Sequence, residues 1–322
     1  MSHPLRVAVI GTGYLGQFHA EKYAALPQAD LVAIVDIDAQ RAADIAKKTH
    51  CQGITDYTAL KDQVDAVSIV TPTSTHFEIG KFFLENGIHV LMEKPITETT
   101  EQAQTLIDLA HANNLVLQVG FLERFNPIVT ASAEKITAPL FIESTRIMPF
   151  NPRNKDVNVV LDLMIHDIDL IQSMVKQPIV KIDASGACVL TEKTDIANAR
   201  IQFEGGCVAN VTASRISLKS ERKMRLFQRD GYFSLNFQDK VVSISEQGEG
   251  EMFPGIPNIK RKTVKGRKKD DALLAEIDAF LTSIATNTPP VVSGEDGKQA
   301  LQTALEITQM VMQSPIYQAV TP

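Results

Sequence analysis

The sequence predicts an α/β fold joined to an α+β one: a doubly wound parallel sheet at the N-terminal end, then a domain built on a mostly antiparallel open sheet. From Leu5 to about Gly120, short β-branched runs alternate with helical patterns; the runs are Val7 to Ile10, Leu31 to Val35, Ala66 to Val70, Val90 to Met92 and Val116 to Val119. Such alternation is the mark of parallel strands with crossover helices. The runs are apolar throughout, as expected where helices cover both faces of a sheet. After Gly120 the pattern changes to longer alternating segments, among them Ile201 to Phe203, Val208 to Ser214, Lys223 to Gln228 and Tyr232 to Phe237. Alternation of that kind suits an antiparallel sheet with one solvated face.

Gly205-Gly206 and Asp230-Gly231 supply hairpin turns between these segments. Helical patterns interrupt or follow them at Val159 to Val175, about Ala272 to Ala285, and Asp296 to Met312. A chain of 322 residues exceeds one ordinary core. The expected division is 1–121 and 122–322, with the last helix free to pack back on the first domain.

A formal net charge of −6 argues against nucleic acid as partner, because phosphate binding needs a basic surface. No apolar run approaches the roughly 20 residues of a membrane helix. The opening residues Met1 to Arg6 lead directly into a strand without a basic and apolar leader, so a cytoplasmic protein is expected. Cys51, Cys188 and Cys207 are too few and too scattered for a disulfide framework or a zinc pair, and read as reduced thiols.

Val7 to Ile10 runs into Gly11-Thr12-Gly13-Tyr14-Leu15-Gly16, where a helical pattern begins. This is the dinucleotide fingerprint of a Rossmann domain in its required context, with phosphate expected at the helix N-terminus. The next strand ends at Asp36, twenty residues past Gly16, where an acid accepts hydrogen bonds from the adenosine ribose and repels a 2′-phosphate. NAD is therefore expected over NADP. Arg41 lies close enough to stack on adenine or meet a phosphate, or it belongs to a solvated helix face. Thr71 and Pro72 follow the third strand, on the edge where ligands of open α/β sheets bind. His76 beyond them reads as a helix-start or packing histidine.

The strand ending in Met92 delivers Glu93-Lys94-Pro95 to the same edge, either as part of the reacting site or as an ordinary turn. In the pattern from Val159, Asp162, His166, Asp169 and Ser173 recur at helical spacing, as a catalytic face or a solvated stripe. A metal site on Asp162, His166 and Asp169 lacks a second cluster to complete it, so none is expected.

On the glycine fingerprint, Thr71-Pro72, Glu93-Lys94-Pro95, Gly120-Phe121 with Arg124-Phe125, Asp162 with His166, and Val292 to Gly297, the chain resembles the glucose-fructose oxidoreductase and inositol dehydrogenase (GFO/IDH/MocA) family over essentially its whole length. The resemblance implies an NAD-dependent oxidoreductase that turns a secondary hydroxyl of a sugar-like substrate into a ketone. It implies that Lys94, Asp162 and His166 surround the reacting carbinol. His166 is then the base, Lys94 holds the substrate oxygen, and Asp162 positions substrate or lysine; a desolvated Lys94 is the alternative base. The implied cofactor site is Gly11, Thr12, Gly13, Tyr14, Leu15, Gly16, Asp36, Arg41, Thr71, Pro72, Glu93 and Lys94. Family members commonly form dimers or tetramers, so a homodimer or homotetramer is expected.

From Arg146 through Arg153 to Asp167 the chain is similar to a narrower group, the UDP-N-acetylglucosamine 3-dehydrogenases of lipid A precursor synthesis. That likeness makes Arg124, Arg146 and Arg153 candidates for a substrate diphosphate, with a solvent-exposed or interface role as the alternative for each. The basic run Lys260 to Lys269 reads as a solvated loop or lysine-protected edge strand, with a nucleotide-sugar contact as the alternative. Other functions consistent with the sequence are an inositol or free-sugar dehydrogenase, an NAD-retaining glycosidase, and a nonenzymatic dinucleotide-binding regulator.

Overall fold

The computed structural model describes residues 3–151, 157–267, 270–314 and 317. The chain separates into two compact units that are not contiguous in sequence: 1–125 with 271–301, and 126–270 with 302–322.

In the first unit, β1 (Leu5–Ile10), β2 (Ala29–Val35), β3 (Gln52–Ile54), β4 (Ala66–Ile69), β5 (His89–Glu93) and β6 (Leu117–Gly120) form one parallel sheet in the order β3-β2-β1-β4-β5-β6. Crossovers run through α1 (Gly16–Ala25), α2 (Ala39–Thr49), α3 (His76–Glu85) and α4 (Thr100–Ala112). Strand order reverses between β1 and β4, the switch point outside which such sheets bind ligands. Register makes this edge sharp. Val35 pairs with Ile10, Ile10 with Ile69, Ile69 with Met92 and Met92 with Val119. Asp36, Gly11 and Val70 therefore leave the sheet from one row, level with Glu93 at the end of β5. β3 escapes sequence reading because three residues carry no usable period.

Residues 271–301 join this unit for a physical reason. Helix α7 (Ala272–Thr286) buries Ile277, Phe280 and Leu281 in the core with Val7, Val9, Tyr23 and Leu91. The chain then returns to the free edge of β6, where the Val119 amide donates to the Val292 carbonyl at 3.1 Å. A single boundary after Phe121 leaves this return out.

In the second unit, β7 (Phe141–Ile147), β8 (Ile179–Ala187), β9 (Ile196–Phe203), β10 (Val208–Ser214), β11 (Glu221–Gln228), β12 (Gly231–Asn236), β13 (Val241–Phe253) and β14 (Ile256–Lys265) form one sheet. Its order is β14-β13-β12-β11-β7-β10-β9-β8, and only the β7–β10 pair is parallel. A short α5 (Pro127–Thr130) precedes the sheet, and α6 (Ile165–Val175) lies against β7 and β10 with Ile165, Ile168 and Ile171 buried. The last helix, α8 (Gly294–Gln313), starts in the first unit and ends in the second. Sequence reading misses β7 because two of its three inward positions are Ser144 and Arg146, and β13 because Glu246 to Glu251 lacks apolar alternation. The basic run is a sheet edge as far as Lys265; Lys268 and Lys269 lie outside the described residues.

Two features depart from the expected helix at 159–175. Val160–Met164 is a π-helical turn, so the 3.6-residue period does not carry from Asp162 into α6. Asp169 is buried, 1% exposed, as is Asp167 at 1%, while Asp162 and His166 are half-buried. A solvated stripe through Asp169 is thereby overturned.

Candidate active site

The first unit's site grows from the row of strand ends. Gly11 takes φ +88°, and a Cβ there would stand 2.8 Å from the Thr71 side chain, so the β1 and β4 loops touch. A Cβ on Gly16 would meet the Gly11 carbonyl at 1.9 Å; the third glycine closes the loop on itself more than it packs helix on strand. Over Gly13 the space is open, and Tyr14 and Leu15 are exposed. Helix α1 begins there with no side-chain cap and no acid in its first turn. Uncapped amides, the positive helix end and open space above Gly13 are what a pyrophosphate requires.

Asp36 is 7% exposed. Its carboxylate accepts from the Thr12 amide and hydroxyl, both at 2.8 Å, and from the Asp38 amide at 2.9 Å. Burial alone would raise its pKa, but these donors, with Arg41, hold it below the ordinary carboxylate range. About four acceptor positions exist on a carboxylate, leaving roughly one for a ribose hydroxyl. Arg41 stands 3.8 Å from Asp36 and 3.5 Å from Asp38. Its charge is shared between two acids, which disfavours a 2′-phosphate and fits NAD.

Pro72 opens the turn Thr73–Thr75, and the Thr75 hydroxyl donates to the Thr71 hydroxyl at 2.7 Å and the Pro72 carbonyl at 2.8 Å. His76 is buried, with its ring nitrogens 2.9 Å from the carbonyls of Pro95 and Thr71. Burial holds its pKa down. It ties the β4 loop to the β5 loop, the packing role expected of it. Lys94 leaves β5 before a cis peptide to Pro95, its amide donating to Glu93 Oε2 at 3.2 Å. The other Glu93 oxygen lies 3.2 Å from His19 Nε2. His19 escapes sequence reading although it falls three residues past Gly16 on α1.

Arg124, its side chain 14% exposed, stands 3.6 Å from Asp296. In the second unit, Asp162 sits in the π turn, its amide donating to the Asn158 carbonyl, and His166 lies in the first turn of α6. Arg146 is corrected as a diphosphate candidate. It is 3% exposed and donates to both Asp167 oxygens, at 3.0 and 2.9 Å, with its guanidinium over Phe237. Sequence reading missed Asp167 as its buried partner. Arg153 lies outside the described residues.

A model of an oxidoreductase family with an NAD-binding Rossmann fold matches residues 5–121, and one of the GFO/IDH/MocA C-terminal domain matches 144–234. A UDP-N-acetylglucosamine 3-dehydrogenase of Acidithiobacillus ferrooxidans is 41% identical over 304 residues, covering 94% of this chain and 96% of its own. This chain belongs to the GFO/IDH/MocA family. A solved structure of that 3-dehydrogenase superposes with a TM-score of 0.90 at 40% identity, over 97% of this chain and 98% of that one. The scyllo-inositol 2-dehydrogenase (NAD(+)) of Bacillus subtilis is 26% identical over 96% of this chain and 94% of its own. A levoglucosan dehydrogenase in complex with NADH, at 19% identity, TM-score 0.86 and coverage of 97% and 98%, shares the fold. As a GFO/IDH/MocA protein the chain is an NAD-dependent oxidoreductase whose first unit is the NAD-binding fold. Among the described residues no helix is long and apolar enough to cross a membrane.

Proposed function

We propose that this oxidoreductase oxidises the 3-hydroxyl of UDP-N-acetylglucosamine to a ketone. The observation that carries the reading is the 41% identity over 94% of the chain to a UDP-N-acetylglucosamine 3-dehydrogenase. Bound NAD supplies the hydride acceptor, held by the Gly11 to Gly16 loop, Asp36, Thr71, Pro72 and Glu93. Lys94 donates a hydrogen bond to the substrate oxygen and stabilises negative charge there. An imidazole nitrogen of His166 takes the hydroxyl proton, the step that general-base catalysis requires as hydride leaves carbon. Asp162 orients the substrate hydroxyl. Arg124 and Arg153 are assigned to the diphosphate, where planar guanidinium groups can bond two oxygens each.

The chain is further read as a cytoplasmic homodimer or homotetramer. Free thiols at Cys51, Cys188 and Cys207 suit a reducing compartment. Light scattering on the eluted protein measures the subunit number, and a monomer would sink the oligomer reading.

The test follows NADH formation with NAD and UDP-N-acetylglucosamine, beside inositols and free hexoses, with a ketone trap present. The expected outcome is turnover of the nucleotide sugar alone, reduced about 10²- to 10⁴-fold in His166→Ala. Turnover of an inositol or hexose instead would overturn the substrate. Full activity in His166→Ala would overturn the base.

A further inference from the structure

In the first unit, two buried polar side chains that the proposed chemistry does not use, His19 and Glu276, lie close to Glu93. His19 of α1, Glu93 at the end of β5 and Glu276 of α7 each bring one donor atom within 4.8 Å of the other two. His19 and Glu276 are both 0% exposed. Neither carboxyl oxygen of Glu276, nor Nδ1 of His19, has a hydrogen-bond partner among the described residues. An ionised Glu276 would bear the desolvation cost of a buried charge together with repulsion from Glu93, and a proton removes both. Burial first, then the charge of Glu93, push the Glu276 carboxyl well above its ordinary range. Glu93, under the same burial, is brought below its ordinary value by His19 and Lys94. Neighbouring carboxyls driven apart in this way divide into one neutral and one charged group.

We propose that Glu276 and His19 are positioning residues for Lys94: Glu276 stands in the core as an uncharged acid, His19 donates a hydrogen bond to Glu93, and Glu93 stays charged to hold the Lys94 amide. The positioning role rests on the reading of Lys94 as the lysine that holds the substrate oxygen. The other titratable groups on elements packed against α7 are Lys22, Tyr23 and the exposed Glu21 on α1, and Glu123 and Arg124 on the 3-10 turn Leu122–Phe125. Lys22 is paired with Asp271 at 2.8 Å, and the Tyr23 hydroxyl with Ser68 at 2.8 Å. Glu93 is the charged neighbour that acts on Glu276.

Two measurements on the purified full chain test this. Glu276→Gln carries a permanently neutral group. The wild-type native state keeps a proton on Glu276 that the unfolded chain releases above about pH 4, so wild-type stability falls with rising pH where the variant's does not. The Tm difference, variant minus wild type, should therefore increase as the pH is raised above about 5. A constant or shrinking difference overturns the neutral acid, as does a stoichiometric metal ion in the wild type that Glu276→Gln lacks. In the second measurement, His19→Ala should lower kcat tenfold or more with the KM for NAD changed less than twofold. His19→Gln, which can return an N–H to Glu93, should recover most of that loss. Equal losses in both variants, or a loss carried by the KM for NAD, overturn the positioning role. Lys94→Met is measured alongside: retained activity overturns the Lys94 reading and the positioning role with it, while the Tm comparison decides the protonation of Glu276 independently.

Discussion

Asp36 shows how a residue identified by spacing acquires a second duty in the fold. Its carboxylate already anchors the Thr12 amide and hydroxyl before any ribose reaches it. Asp36→Ala should therefore do two things: raise the KM for NAD at least tenfold by loss of a charge-assisted hydrogen bond, and loosen the glycine loop. NADP should gain little, because Arg41 is also within 3.5 Å of Asp38. Steady-state kinetics with both cofactors check this, and a switch to NADP preference would show that Asp36 alone excludes the 2′-phosphate. Arg146 teaches the opposite lesson. A basic residue in a stretch resembling a nucleotide-sugar enzyme looked like a phosphate ligand, yet it is spent on Asp167 inside the second unit. A buried bidentate pair of this kind cannot be told from an exposed arginine by sequence, because both partners are polar and 21 residues apart.

The β1–α1 turn is the element whose sequence says most about its geometry. Gly11, Gly13 and Gly16 read as a phosphate loop, and the steric reason is visible in the 1.9 Å approach a Gly16 Cβ would make to the Gly11 carbonyl. Gly16→Ala must displace that carbonyl, and overpacking of this kind costs about 1–3 kcal/mol. The expected outcome is a lower Tm and NAD affinity at least tenfold weaker by calorimetry; unchanged affinity would show that the loop adapts freely. The helix carrying Asp162 and His166 is the element sequence read least well. Its polar residues recur at helical spacing, but the π turn at Val160–Met164 adds a residue to one turn, and nothing in the 3.6-residue pattern announces such a local register change.

Across the molecule, the second unit depends on a clamp no motif suggested. Asp195, 0% exposed, accepts from the amides of Val189, Leu190 and Thr191 at 2.7 to 2.9 Å and from Arg215 Nε at 2.7 Å. Arg215 reaches on to the carbonyl of Val157, just before the π turn. Burial raises the Asp195 pKa, but these donors bring it down to about 2. A carboxyl held below its unfolded value stabilises the native state at pH above about 4, and that contribution is lost as pH falls through about 2. Asp195→Ala should destabilise the protein by about 3 kcal/mol at neutral pH, since it strands a buried arginine, and should flatten the acid limb of the Tm against pH curve between about pH 4 and pH 2. An unchanged acid limb would remove Asp195 as its cause.

The sequence by itself determined the parallel sheet, the dinucleotide loop and the family, because strand period, obligatory glycines and the Asp36 spacing are local features. It also delivered Lys94 to the edge of the sheet, since a strand end is legible wherever an apolar run stops at charged residues and a proline. Only tertiary structure decided the return of residues 271–301 to the first sheet, the pairing of Arg146 with Asp167, and the gathering of His19, Glu93 and Glu276. Those associations join residues from 21 to 257 positions apart. They are settled by which faces of which helices are buried together, a choice made by packing and desolvation that no local pattern encodes.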